Sequence, residues 1–309
     1  MWSTWNITKY SLVLLYFLSA VLVHFRGKRR LRFVRQLGDH STLMGPINAL
    51  MYRGSAVPKQ VFFEPSKFQY LEPLQANWQT IRDEGLALLD QGNIKGTDRG
   101  DDLGFHTFFK RGWKRFYLKW YDQPHASAAA LCPKTCALLA EIPQVKAAAY
   151  TLLPPGSVLG AHRDPYAGSL RYHLGLKTPN SDACAIVVDG QTYGWRDGEG
   201  VVFDETFIHE AYNRTDITRL ILFCDIERPM KTRLGKAINH FFGFTLMKAA
   251  ASPNEETDRT GMINRIFRYI LAVKTFGQNL KAKNRRLYYV AKYTLFLGLF
   301  YLIFLRHWI

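Results

Sequence analysis

Apolar positions fall into three regimes along the chain. Tyr10 to Phe25, YSLVLLYFLSAVLVHF, is sixteen residues without an Asp, Glu, Lys or Arg. That is just short of an ordinary membrane span, but Lys9 can snorkel, and Trp2, Trp5, Asn6 and Ile7 extend the segment outward. Leu287 to Leu305 is nineteen residues interrupted only by Lys292. Between these ends the pattern is that of a folded domain. Phe68, Leu71, Leu74, Trp78, Ile81, Ala87 and Leu88 predict one or two amphipathic helices. Thr135–Leu139 predicts a short helix. Arg35 to Pro65, punctuated by Gly38, Gly45, Pro46, Gly54, Pro58 and Pro65, reads as an irregular lead-in. From Val145 the period shifts towards two. Val145–Leu153, Ser169–Leu176, Ala183–Asp189, Gly200–Asp204 and Thr218–Ile226 predict short strands. No comparably long helix separates them, which argues against a βαβ fold and for a distorted barrel or sandwich such as a double-stranded β-helix. Met262–Leu280 mixes apolar and basic residues at helical spacing. It suits either a helix lying on an anionic membrane or one packed on the domain.

Charge changes the picture of the two ends. The chain carries 41 basic and 25 acidic residues, a formal +16. Arg26, Lys28, Arg29, Arg30, Arg32 and Arg35 directly follow the first apolar run, and Lys281, Lys283, Arg285 and Arg286 precede the second. A cleavable signal peptide places its charge before the apolar run, not after it. Two inward-facing basic flanks predict membrane-anchoring segments at both termini, with the middle of the chain in the cytoplasm and both termini outside. The divisions are an N-terminal anchor and basic flank over 1–35, one soluble, mainly β domain over 36–250, and a basic helical region with a second hydrophobic segment over 251–309. No nucleic-acid module is recognisable, so the basic excess points to anionic lipid. Cys132 and Cys136 form a CxxxC without a second pair or nearby histidine. Cys184 and Cys224 sit in strand-like runs and read as buried thiols. Oligomeric state is not legible.

The chemistry-bearing residues cluster at strand ends. Gly160–Ala–His162–Arg–Asp164–Pro follows a strand and a PPG turn, and His209 lies some forty-five residues later, again beyond a strand-like run. Two imidazoles and one carboxylate can hold Fe(II) on one face of an octahedron and leave positions open. Zinc uses the same ligand types, so the ligands alone do not choose the metal. Arg219 interrupts an otherwise apolar strand, where an inward guanidinium needs an anionic partner such as a dicarboxylate. Arg171 and His173 alternate on SLRYHLGL and can face one pocket.

These residues lie within longer motifs: WKRFYLKWY at Trp113–Tyr121, CPKT at Cys132–Thr135, LGAHRDP, SLRYHLGLKTPN, VDGQTYGWRDGEGVVFDETFIHEAYN and TRLILFCDIERP. With them the chain resembles the aspartyl/asparaginyl β-hydroxylase superfamily, and within it the bacterial lipid A 2-hydroxylases. The resemblance implies a mainly β, jelly-roll, cupin-like core with flanking helices. It implies an Fe(II)/2-oxoglutarate-dependent dioxygenase that consumes O₂ and forms succinate and CO₂. His162, Asp164 and His209 would hold iron, Arg219 would grip the distal carboxylate of 2-oxoglutarate, and Arg171 with His173 would contact the cosubstrate. Peptide-hydroxylating relatives have glycine at the position of Asp164. The implied substrate is a secondary acyl chain of lipid A, or another anionic membrane lipid, entering a pocket lined by aromatics from Phe108–Tyr121. A peptidyl aspartyl/asparaginyl hydroxylase and a non-enzymatic membrane scaffold are the alternatives. Trp195, Arg196, Asp197, Glu205 and Asn213 lie in the matched stretch without an assigned role.

Overall fold

The computed structural model describes residues 4–97, 100–121 and 123–305, and Trp2 lies outside them. Its strands are β1 Phe62–Phe63, β2 Lys114–Trp120, β3 Gln123–Pro124, β4 Val145–Leu153, β5 Val158–His162, β6 Ser169–Lys177, β7 Cys184–Val188, β8 Gln191–Gly194, β9 Gly200–Phe203, β10 His209–Asn213 and β11 Arg219–Glu227. Its α-helices are α1 Thr4–His24, α2 Phe33–Leu37, α3 His40–Gly54, α4 Glu72–Ala76, α5 Trp78–Asp90, α6 His106–Phe109, α7 Ala126–Leu131, α8 Pro133–Ala140, α9 Arg233–Phe242, α10 Met262–Lys283 and α11 Arg285–Phe300. The five predicted strands all form, with no end shifted by more than one residue. WKRFYLKWY supplies β2.

The strands make two antiparallel sheets, in the orders β1-β9-β6-β11-β4-β2-β3 and β5-β10-β7-β8. From β4 onward the chain passes repeatedly between them: β4, β6, β9 and β11 lie in the larger sheet, and β5, β7, β8 and β10 in the smaller. This is a double-stranded β-helix core, as the spacing of short strands leads one to expect. The central strands β4, β6 and β11 are buried on both faces. On β11, Leu220, Leu222, Cys224 and Ile226 join the outer core, whereas Ile221 and Phe223 belong to the cluster between the sheets. Strand alternation therefore aims Arg219 and Asp225 inward with them.

Helices α5 and α8 cover the outer face of the larger sheet. Tyr150 of β4 donates its hydroxyl to the Ile81 carbonyl at 2.8 Å and lies 2.8 Å from the Thr135 hydroxyl. Glu84 accepts from the backbone N–H groups of Lys134 and Thr135 at 3.0 and 2.8 Å. It thereby satisfies donors that the first turn of α8 leaves free.

One expectation is corrected. The lead-in 35–65 is not irregular: α3 spans His40–Gly54 with Pro46 inside it. Proline removes the donor that would reach the Thr42 carbonyl. The Ser19 hydroxyl of α1 donates to that carbonyl instead, and Gly45 lets the two helices approach there. Within the basic flank, Arg26 pairs with Asp204 and Arg29 with Glu210, at 2.6 and 2.5 Å. Residues past 250 also contact the domain. Asn254 brackets the backbone of Tyr117 (2.7 and 2.8 Å), and Asp258 accepts from the Ser127 hydroxyl at 2.6 Å. Beyond these contacts α10 buries only Asn264, and α11 buries no residue. Thr4–His24 and Arg285–Leu305, 21 residues each, are long and apolar enough to cross a membrane. Lys9 reaches the Ile303 carbonyl at 3.5 Å.

Candidate active site

The site opens between the two sheets. His162 ends β5 and His209 begins β10, and the two are directly paired across that ladder, with ring centroids 4.2 Å apart. Asp164 follows two residues after β5. The Nε2 atoms of His162 and His209 lie 3.8 and 4.0 Å from Asp164 Oδ1, and one ligand atom from each of the three residues fits within 4.8 Å.

Each imidazole is oriented from behind. His162 Nδ1 faces the Gly160 carbonyl at 2.8 Å and His209 Nδ1 the Phe207 carbonyl at 3.0 Å. A carbonyl only accepts, so each Nδ1 carries the hydrogen and each Nε2 presents a lone pair. Burial first, and then the neighbouring His209, pushes His162 down to about 3, with Asp164 opposing. His209 is lowered as well, chiefly by burial. Burial alone would raise Asp164, but Arg171 and the two histidines override it and hold the carboxyl at about 2. Two neutral imidazoles and an ionised carboxylate thus converge without a proton among them. That donor set fits a divalent transition metal, with iron(II) suited to two imidazoles and one carboxylate.

A separate anion-seeking feature shares the cavity. Arg219 is 2% exposed, and its Nη2 donates to the Thr151 hydroxyl at 3.3 Å. Its guanidinium lies 4.5 Å over the Trp195 ring, and its Nε has no partner among the described residues. Burial lowers this arginine to about 10. Beside it, Trp195 Nε1 donates to His173 Nδ1 at 3.3 Å, so the His173 hydrogen sits on Nε2. That atom is also buried without a partner among the described residues. Burial, followed by Arg171 and Arg219, holds His173 well below the usual imidazole range.

Arg171 faces the same cavity but is engaged within the protein. Nη1 lies 2.8 Å from Asp225, Nε lies 2.6 Å from Glu205, and Nη2 meets both Asp164 and Glu205. The guanidinium packs 3.7 Å over Phe223. Burial raises Glu205 well above the usual carboxylate range, reinforced by Asp225 and Asp164 and opposed by Arg171. Asp225 is raised too, again chiefly by burial. Sequence spacing alone did not single out Asp225. The available signal is alternation, which puts it on the Arg219 face of β11, directly opposite Arg171 on β6.

Phe105, Phe108, Trp113, Leu159, Ile186 and Ala211 supply apolar wall. Only part of the Phe108–Tyr121 aromatic run reaches it: Tyr117, Trp120 and Tyr121 form another cluster with Ala147, Ala149 and Ala251. Of the residues without a role, Trp195 and Glu205 belong to the site. Arg196 pairs with Asp182 at 2.7 Å, Asp197 accepts from the Thr178 N–H at 2.6 Å, and Asn213 donates to the Leu153 and Ile217 carbonyls at 2.8 Å each. All four cysteines are free.

Comparison with known proteins gives the lineage. The chain is 41% identical over 121 residues to an ornithine lipid ester-linked acyl 2-hydroxylase of Rhizobium tropici, covering 39% of this chain and 43% of that one. It is 31% identical over 190 residues to the human aspartyl/asparaginyl beta-hydroxylase, covering 59% of this chain and 24% of that one. The chain therefore spans less than half the length of these relatives. Among solved structures, a Pseudomonas putida prolyl-4-hydroxylase aligns with a TM-score of 0.33 at 18% identity, over 50% of this chain and 87% of that one. Residues 75–229 match the family described as Aspartyl/Asparaginyl beta-hydroxylase, and the chain belongs to that family.

Proposed function

We propose that the protein is an Fe(II)/2-oxoglutarate-dependent dioxygenase that hydroxylates C2 of a secondary acyl chain of lipid A or its precursor. One observation carries the reading: a neutral His–His–carboxylate set shares a cavity with a buried guanidinium that has no carboxylate partner among the described residues. Iron, 2-oxoglutarate and O₂ together supply an oxidation strong enough for an unactivated C–H bond, with succinate and CO₂ as by-products. His162, Asp164 and His209 hold the metal. Arg219 binds the distal carboxylate of the cosubstrate, and His173 donates to it from Nε2. Arg171 holds Asp164, in place of the direct cosubstrate contact that the resemblance implies. Phe105, Phe108 and Trp113 keep water from the reacting carbon and align one acyl chain. Adjacent methylenes differ little in reactivity, so position must select C2.

The apolar terminal helices and the remaining basic flank, Lys28, Arg30, Arg32 and Arg35, suit a phosphorylated lipid at the inner-membrane surface with the domain in the cytoplasm. Protease added to intact spheroplasts should spare the domain, and digestion there would reverse the orientation. Lipid mass spectrometry in a lipid A-producing host tests the substrate. A 16 Da increment on lipid A should require O₂ and vanish in His162→Ala, and fragmentation should place it on C2. The similarity to an acyl 2-hydroxylase of ornithine lipid favours a second reading, in which that lipid carries the increment. An increment on a peptide would reject both lipid readings.

A further inference from the structure

The segment that leaves α1 is built into the metal-binding end of the barrel. Arg163, placed between His162 and Asp164 and 2% exposed, donates from Nη1 to the Val23 carbonyl in the last turn of α1 at 2.6 Å. The carbonyl of Arg163 in turn faces His40 Nε2 at 2.9 Å. Three residues after Val23, Arg26 reaches the opposite wall. Its Nη2 lies 2.6 Å from Asp204 Oδ2, and its Nε donates to the Thr206 hydroxyl at 2.8 Å. Its guanidinium lies 3.6 Å from the Tyr52 ring centroid and 4.5 Å from that of Phe207. The N–H groups of Lys28 and Arg29 donate to the Asp189 carboxylate at 2.9 and 2.7 Å, and the N–H of Asp189 donates to the Ile208 carbonyl at 2.8 Å.

Residues 23–29 thus grip three turns that are far apart in sequence, at 163, at 189 and at 204–208. The first carries or adjoins His162 and Asp164, and the last leads into His209. Phe207 links the two functions, since its ring packs on Arg26 while its carbonyl accepts from His209 Nδ1 at 3.0 Å. A simple tether would need none of these contacts. Partners that fix the back of a metal-binding imidazole commonly change metal affinity 10- to 100-fold when removed.

We propose that Arg26 is a positioning residue for His209, and that the membrane-proximal strap 23–29 completes the metal site by fixing the 204–209 turn. The proposal rests on the metal-site reading above. The test uses the full chain in detergent, stripped of metal and titrated with Co(II), with the visible spectrum as readout. Wild-type protein should bind one Co(II). Failure to bind would reject the metal site itself, before any variant is considered. Arg26→Ala should bind about 10- to 100-fold more weakly, with an altered spectrum. Gly85→Ala, a core change remote from the strap, serves as a stability control and should keep wild-type affinity and spectrum. If Arg26→Ala does not fold, Arg26→Lys decides. It keeps the charge but loses the planar fork that meets Asp204 and Thr206 together, and should bind about tenfold more weakly. Wild-type affinity and spectrum in the deciding variant, or an equal loss in Gly85→Ala, would overturn the proposal.

Discussion

Arg219 rests its guanidinium 4.5 Å above the Trp195 ring, and no carboxylate among the described residues neutralises it. A buried cation without a counterion opposes folding and favours binding of an anion. Arg219→Met should therefore raise the melting temperature of the cosubstrate-free protein, by roughly 1–3 kcal/mol of stability. The same change should weaken 2-oxoglutarate binding by roughly 2–5 kcal/mol. Calorimetry and titration with 2-oxoglutarate read the two effects separately, and unchanged affinity would remove Arg219 from the cosubstrate site.

Arg171 is the opposite case, a guanidinium surrounded by Asp164, Glu205 and Asp225. Removing it leaves buried carboxylates unmatched, so Arg171→Met should destabilise the fold by roughly 3–5 kcal/mol. Glu205→Gln should cost far less, because burial and the neighbouring carboxylates already favour protonated Glu205. Denaturant melts of both variants check the contrast. Equal losses would show that Glu205 is ionised.

Acid should act first through the histidines. His162, at about 3, and His209 and His173 are all held below the ordinary imidazole value. The unfolded chain takes up these protons near pH ~6.5, whereas the folded chain resists them. The unfolded state then binds more protons, and stability falls as pH drops. In metal-free protein the loss should begin below pH ~6.5 and continue towards the His162 value of about 3. Asp164, at about 2, adds a loss of the same sign, setting in only below the ordinary aspartate value of about 3.9. Glu205 and Asp225, held above the ordinary carboxylate range, gain stability as pH drops and oppose this slope. Denaturation midpoints measured in chelator should therefore fall more steeply with acid in wild type than in His162→Gln, and equal slopes would contradict the neutral-imidazole assignment.

Gly85 marks where α5 meets the sheet. A methyl group there would come within 2.8 Å of the Tyr150 ring, and that ring is held by hydrogen bonds to Ile81 and Thr135. Helix propensity favours alanine by about 1 kcal/mol, but overpacking costs about 1–3 kcal/mol. Gly85→Ala should be neutral to destabilising, by up to about 2 kcal/mol, and a clear gain in melting temperature would show that Tyr150 yields.

The sequence by itself determined the features that repeat locally. Period-two runs marked β4, β6, β7, β9 and β11. Apolar runs marked the terminal helices, and strand-end positions marked His162, Asp164 and His209. An arginine inside an apolar strand was enough to suggest an anion site at Arg219. Tertiary structure decided whatever depends on partners distant in the chain. Pro46 breaks a local helix signal, yet α3 persists because Ser19 satisfies the carbonyl that the proline leaves free. Arg26 looks like one more flanking cation until Asp204 is brought to it, and nothing local shows that Asp164, Glu205 and Asp225 close around Arg171. A side chain's alternation along its strand shows which way it points. Which charge it meets depends on how the sheets and helices pack, and that pairing decides whether an arginine stabilises the fold, orients a ligand or waits for a substrate.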